Sequence, residues 1–177
     1  MIKFQRITTK DTALYNYMEQ LMTDSFPAEE YRSLEELRNY TDNKPHFHCN
    51  IILQQKNPIG LITYWDFGHF YYVEHFAIAP SQRNGGHGKN VLYHLCRQIN
   101  KPIVLEVEIP EEEIAIRRIN FYKRNGFNLW EKPYMQPPYK AGDNYLPMRL
   151  MAYGNLECEK DFEQVKECIY REVYNTK

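Results

Sequence analysis

Tyr71-Tyr72-Val73-Glu74-His75-Phe76-Ala77-Ile78-Ala79-Pro80, followed by Arg83-Asn84-Gly85-Gly86-His87-Gly88-Lys89, is the stretch on which the fold turns. Its first part is apolar and aromatic around a single acid and reads as a strand ended by proline. Its second part is a glycine loop. The loop runs into Val91, Leu92, Leu95, Cys96 and Ile99, a helical stripe closed by Asn100-Lys101-Pro102, and 103–107 then reads as a buried strand. Strand, loop, helix and strand in that order predict a crossover between parallel strands. Glycines let a backbone approach a ligand closely. Several amides in such a turn can converge on one anion at the start of the following helix. With Arg83 and Lys89 bracketing the loop, a diphosphate is the natural guest, provided the amides of 83–89 are not already taken up by neighbouring groups. A Walker loop is excluded, because Lys89 is followed by Asn90 and the spacing fails. A dinucleotide fingerprint is disfavoured: the glycines run G-G-x-G, although Glu106 and Glu108 fall near the distance of its acid.

Outward from this centre, 47–55, 59–67 and 70–79 are strand-like runs joined by short turns, a likeness to an antiparallel meander. Before them, 2–7 alternates as a half-buried strand, and Leu14, Tyr17, Met18, Leu21 and Met22 keep helical spacing. Ser33-Leu34-Glu35-Glu36 is a capping box that opens a helix to about Tyr40. After the crossover, 114–124 reads as a helix ended by Asn125-Gly126, and 127–130 as a strand. The run 132–147, with four prolines and Gly142, reads as a loop, and 148–153 resumes strand character. Phe162, Val165, Ile169 and Val173 line one face of a terminal helix at about 156–174, an appendage that either caps the core or joins a second copy as a homodimer. The expected order is β-α-α-β-β-β-α-β-α-β-β-α, within one domain spanning 1–177.

The chain has 177 residues, 22 Lys plus Arg against 23 Asp plus Glu, and a net charge of −1, which gives no electrostatic reason to expect nucleic acid or an acidic membrane as partner. With 43% hydrophobic and 25% charged residues, a packed core is expected rather than disorder. No apolar run approaches a membrane span, and the N-terminal Met1-Ile2-Lys3-Phe4-Gln5-Arg6 lacks the apolar stretch of a signal peptide, so a cytoplasmic protein is expected. Cys49, Cys96, Cys158 and Cys168 form no C-x-x-C pair and sit near no histidine cluster; reduced thiols, and no metal, are expected.

The chain resembles the GNAT (Gcn5-related) N-acetyltransferases. Arg83-Asn84-Gly85-Gly86-His87-Gly88 matches their R/Q-x-x-G-x-G/A loop at every fixed position, after a strand ending Ala77-Ile78-Ala79-Pro80. Ile119-Asn120-Phe121-Tyr122-Lys123-Arg124-Asn125-Gly126-Phe127 matches their second signature, a helix end of the form A-x-x-F-Y-x-x-x-G-F. It departs from the family at Ala115, where many members carry Asn, and at Arg118, where they carry a small residue. The resemblance implies an α/β (mixed α+β) fold with a mostly antiparallel central sheet, splayed at the cofactor site and flanked by helices, plus the extra C-terminal helix. It implies an acetyl-CoA-dependent N-acetyltransferase acting by direct attack of a primary amine on the thioester. Arg83, Asn84, Gly85, Gly86, His87, Gly88 and Lys89 would bind the cofactor diphosphate, and backbone groups of Phe76, Ala77 and Ile78 its pantetheine arm. Tyr122 would protonate the leaving thiolate; the bland alternative is one more packed tyrosine among 15. The acceptor is expected to be a small-molecule amine. The alternatives are a non-catalytic acyl-CoA sensor and an enzyme acting on protein lysines or N-termini.

Glu74 is the candidate general base, since a carboxylate in an apolar strand is expensive unless something pairs with it. A structural partnership with a neighbouring Arg or Tyr is the equal alternative. Strict alternation would put Tyr72, Glu74 and Phe76 on one face and Val73, His75 and Ala77 on the other. His75 therefore ranks lower as base. Glu106 or Glu108 could bind the substrate ammonium or assist as base, or could simply be solvated or salt-bridged. Residues 26–31 and 134–139 are the expected acceptor walls.

Overall fold

The computed structural model describes residues 1–176. The elements follow the expected order: β1 Ile2–Arg6, α1 Thr12–Ser25, α2 Leu34–Asn43, β2 Phe47–Gln54, β3 Asn57–Asp66, β4 Tyr71–Ile78, α3 His87–Gln98, β5 Ile103–Glu108, α4 Glu113–Arg124, β6 Asn128–Gln136, β7 Leu146–Tyr153 and α5 Cys158–Glu172. Short 3-10 turns occupy Ala28–Glu30 and Pro80–Gln82. The capping box acts at the start of α2, where Ser33 Oγ accepts from the Glu36 amide at 3.2 Å.

Seven strands form one open sheet in the order β1-β2-β3-β4-β5-β7-β6. Every pairing is antiparallel except β4 with β5, which the α3 crossover makes parallel. One face packs under α1, α2 and α5 through Met18, Met22, Leu37, Phe162, Val165 and Ile169. The other packs under α3 and α4 through Val91, Leu92, Leu95, Ile119 and Tyr122. The apolar stripes read from the sequence are thus the buried ones. Among the described residues no helix is long and apolar enough to cross a membrane. The four cysteines are free.

One segment differs from its sequence reading. The expected loop 132–147 is strand at both ends, since β6 runs to Gln136 and β7 begins at Leu146, and 137–145 is the loop between them. Proline normally interrupts a ladder because it has no N–H to donate. Here Pro133 lies where the β6–β7 register shifts between Trp130 and Tyr134. Pro147 pairs with Met135 beyond the end of β5, whose last partner is Met148, so that end of β7 has a neighbour on one side alone.

Candidate active site

The parallel ladder between β4 and β5 is short. Tyr71 pairs with Ile103, Tyr72 with Val104 and Val73 with Leu105, and there it stops, leaving the β4 edge from 74 onward without a partner strand. At the same point β4 holds one residue more than β3. Thr63 opposes His75 while Tyr64 opposes Val73, so Glu74 is the extra residue of a β-bulge. Past the bulge β3 and β4 close up again, and a Cβ on Gly60 would lie 2.4 Å from the Ala77 carbonyl oxygen, which only glycine avoids.

The bulge overturns the expected alternation. Glu74 and His75 both turn toward the α1–α2–α5 side, whereas Phe76 and Ile78 pack with Val73 on the α3–α4 side. Glu74 is met by Arg32 at 2.6 and 3.2 Å and by Trp65 Nε1 at 2.8 Å. Its side chain and that of Arg32 are 0% and 2% exposed. The guanidinium sits among the rings of Tyr40, Phe47, Trp65 and Tyr139. Burial alone would raise the Glu74 pKa, but the charge of Arg32, with the Arg32 and Trp65 hydrogen bonds, holds it below the ordinary value. His75 Nε2 lies 2.8 Å from the Glu30 carbonyl oxygen, and burial lowers the pKa of the ring. His75 is therefore a neutral donor to that carbonyl.

Glu106, on β5 across the splay, is partly buried at the cavity wall, and no cation pairs with it among the described residues. Tyr134 donates to Oε1, and Gln136 Nε2 and Tyr174, the latter at 2.8 Å, donate to Oε2. Burial nevertheless outweighs these bonds and raises its pKa. Glu108 is half-exposed and paired with Arg118 at 2.9 Å. Glu30 is raised too, by burial and then by the charge of Glu108. A cavity of about 220 Å³ opens among Phe26, Glu30, His75, Glu106, Tyr139 and Met148, with Glu74 and Arg118 also on its wall. Its surplus of carboxylates suits a cation. Gln136 falls within the acceptor wall expected at 134–139, but the sequence reading missed Arg32 and Tyr174. Nothing in the local sequence around them signals a site, because each works through a distant partner.

The glycine loop lies at the other mouth of the splay. Asn84 and Gly86 take left-handed conformations, at φ +66° and +72°, and Arg83 Nε donates to the Ile78 carbonyl at 3.0 Å. Among the described residues the amides of Gly85, Gly86, His87 and Gly88 have no acceptor within the chain; the nearest bonds are Arg83 N to Pro80 O and Asn90 N to Gly86 O. These unclaimed donors, at the start of α3, are free to receive an anion. A side chain at Gly88 would meet the ring of Phe121, which brings the end of α4 against the loop. Beside it the Tyr122 ring is buried against Phe121 and Phe127, and burial pushes its hydroxyl up to about 12. Among the described residues no group of three or more His, Cys, Asp or Glu side chains could hold a metal.

The sequence model described as "Acetyltransferase (GNAT) family" matches residues 12–127. The chain belongs to the GNAT family. It is 59% identical, over 99% of both chains and with a TM-score of 0.98, to the solved structure of a GNAT-family protein from Bacteroides thetaiotaomicron. More distant folds include spermidine N-acetyltransferase from Vibrio cholerae in complex with CoA and spermine, at 18% identity, TM-score 0.59, and 85% and 94% coverage of the two chains. Another is the ribosomal-protein-S18-alanine N-acetyltransferase from Escherichia coli, at 18% identity, TM-score 0.59, and 89% and 99% coverage. At that distance they share the fold alone, and their acceptors differ. Among curated proteins no relative matches. The two departures from the GNAT pattern have plain structural consequences. Ala115 is buried on α4, and Arg118 reaches across to the Glu108 carboxylate at the cavity wall.

Proposed function

We propose that this protein transfers the acetyl group of acetyl-CoA to a small primary amine. The observation that carries the reading is the divergence of β4 from β5 after Val73 and Leu105, with unclaimed amides at one mouth and an acidic cavity at the other. Acetyl-CoA supplies a thioester carbonyl open to attack by an amine. The amides of 85–88, with Arg83 and Lys89, take the diphosphate. The free edge of β4 at Phe76, Ala77 and Ile78 takes the pantetheine arm as an added strand. A cavity of about 220 Å³ suits a small amine better than a peptide, which needs an extended groove.

The acceptor enters as an ammonium drawn by Glu30 and Glu106, the carboxylates without a cation partner. We assign the base to Glu106 rather than to Glu74. A base works best when its pKa lies near the working pH, and burial moves Glu106 in that direction while Arg32 moves Glu74 away from it. Glu74 with Arg32 instead forms the charged floor under the cavity. Glu106 takes one proton from the ammonium, the freed amine attacks and the N–C bond forms, and the C–S bond breaks as Tyr122 gives its proton to the departing sulfur; the second nitrogen proton passes through water to restore the Tyr122 hydroxyl.

An amine panel with acetyl-CoA, read by release of free thiol, tests this. Turnover with at least one amine is expected, lowered about 10²–10⁴-fold in Glu106→Gln, the usual range for a lost acid or base, and lowered also in Tyr122→Phe. A melting temperature raised by acetyl-CoA with no thiol release from any amine would instead mark an acyl-CoA-binding sensor. Transfer to peptides alone would mark a protein-modifying enzyme.

A further inference from the structure

Tyr174 lies 68 residues from Glu106 in sequence and outside the family-matched segment, yet its hydroxyl donates to Glu106 Oε2 at 2.8 Å. We propose that Tyr174, delivered by the end of α5, is a positioning residue of the acceptor site that holds the Glu106 carboxylate ionised and aimed at the amine. The inference rests on the assignment of Glu106 as base.

The chain around Tyr174 is tied down on both sides. Phe162, Val165, Ile169 and Val173 sink the α5 stripe into the core. The Val173 carbonyl receives Arg32 at 3.5 Å, and Asn175 Nδ2 donates to the Tyr40 hydroxyl at 2.8 Å. The Tyr174 ring packs on Tyr139, a cavity wall residue, with centroids 5.0 Å apart. Its hydroxyl could have been satisfied by Tyr72, 3.4 Å away, but the shorter contact is to the carboxylate.

The groups that face Glu106 come from every element around it. Tyr72 comes from β4, Tyr134 and Gln136 from β6, Tyr139 from the loop 137–145, and Tyr170 and Tyr174 from α5 and its end. None is cationic. Arg32 is committed to Glu74, Arg118 to Glu108 on the same strand, and His75 is neutral. With no countercharge, the ionised form of Glu106 depends on hydroxyl and amide donors, and each donor removed makes the proton harder to lose.

Tyr174→Phe deletes one donor and keeps the ring. The expected result is an upward move of the acid limb of kcat/KM for the amine by about one pH unit, the scale of one hydrogen bond to a charged group. KM for acetyl-CoA stays as in wild type. The Glu106 carboxyl resonance in protein labelled with carboxyl-¹³C glutamate, assigned by its loss in Glu106→Gln, should titrate upward by the same amount without any turnover. A lowered melting temperature with the limb and the resonance unmoved would make Tyr174 a packing residue and overturn the proposal. In that case Glu106→Gln still abolishes the limb. A Glu106→Gln enzyme that keeps the wild-type limb overturns both the base assignment and the role of Tyr174.

Discussion

Between residues 83 and 88 the protein presents main-chain amides drawn from one contiguous run, with two left-handed residues setting their direction. Around Glu106 and Glu74 it presents side chains brought from far apart: Tyr134, Gln136 and Tyr174 stand 28, 30 and 68 residues from Glu106, and Arg32 stands 42 from Glu74. The end proposed for the donor is therefore made of backbone, and the end proposed for the acceptor of long-range packing. The two materials fail differently. A backbone cradle tolerates changes of side chain and is spoiled by a Cβ in the wrong place. A buried polar cluster fails when one partner goes, because the other is left charged in a dry core.

Arg32→Met is the harshest test of that difference. It strands Glu74 in an apolar box, and loss of one partner of a buried pair costs about 3–5 kcal/mol. Urea denaturation should show a loss of that size. The double variant Arg32→Met/Glu74→Leu should recover much of it, since an apolar pair of similar volume is often tolerated. The pH dependence changes sign as well. In wild type the folded pKa of Glu74 lies below its ordinary value of 4.5, so its contribution is present above that value and fades as pH falls through the lowered pKa. Without Arg32, burial governs, the folded pKa rises, and acidification toward the ordinary value should stabilise the variant. Equal losses in the single and double variants would show that the pair matters as volume, not charge.

The same contrast decides what could be read in advance. Element order, the parallel crossover and the glycine loop follow from spacings of a few residues, so they were legible. Ser33 and the stripes of α3 and α5 belong to this group. The alternation rule failed at Glu74 because a bulge adds a residue to one strand, and neither the carboxylate nor its apolar neighbours mark where. Residues 132–136 were misread because proline weighs against a strand, while the register shift that admits Pro133 is a property of its pairing with β7. Arg32 precedes a capping box and Tyr174 follows a helix. Their partners exist only once the sheet and α5 have met.

Gly86→Ala probes the donor end. Gly86 has φ +72°, and a Cβ there would meet nothing within 4 Å. The protein itself therefore resists the change only through left-handed strain, about 1–2 kcal/mol for an alanine. An acetyl-CoA diphosphate seated on these amides would meet the new methyl. The expected outcome is a raised KM for acetyl-CoA with KM for the amine unchanged, the reverse of a lesion in the acceptor cavity. A KM for acetyl-CoA that stays at the wild-type value would place the diphosphate away from Gly86.

The mildest test sits where the two materials join. Ser33 caps α2 through the Glu36 amide at 3.2 Å, and it directly follows Arg32. Ser33→Ala should cost about 1 kcal/mol, the usual value of a lost N-cap, read as a shift in the urea midpoint. The Arg32 guanidinium is held by Glu74 and ringed by four aromatic side chains, contacts that owe nothing to the cap. Its position should survive fraying of the first turn, and KM for the amine should stay at the wild-type value. A raised KM for the amine would show that the start of α2 aims Arg32, and that the acceptor floor depends on local helix geometry as well as on its distant partners.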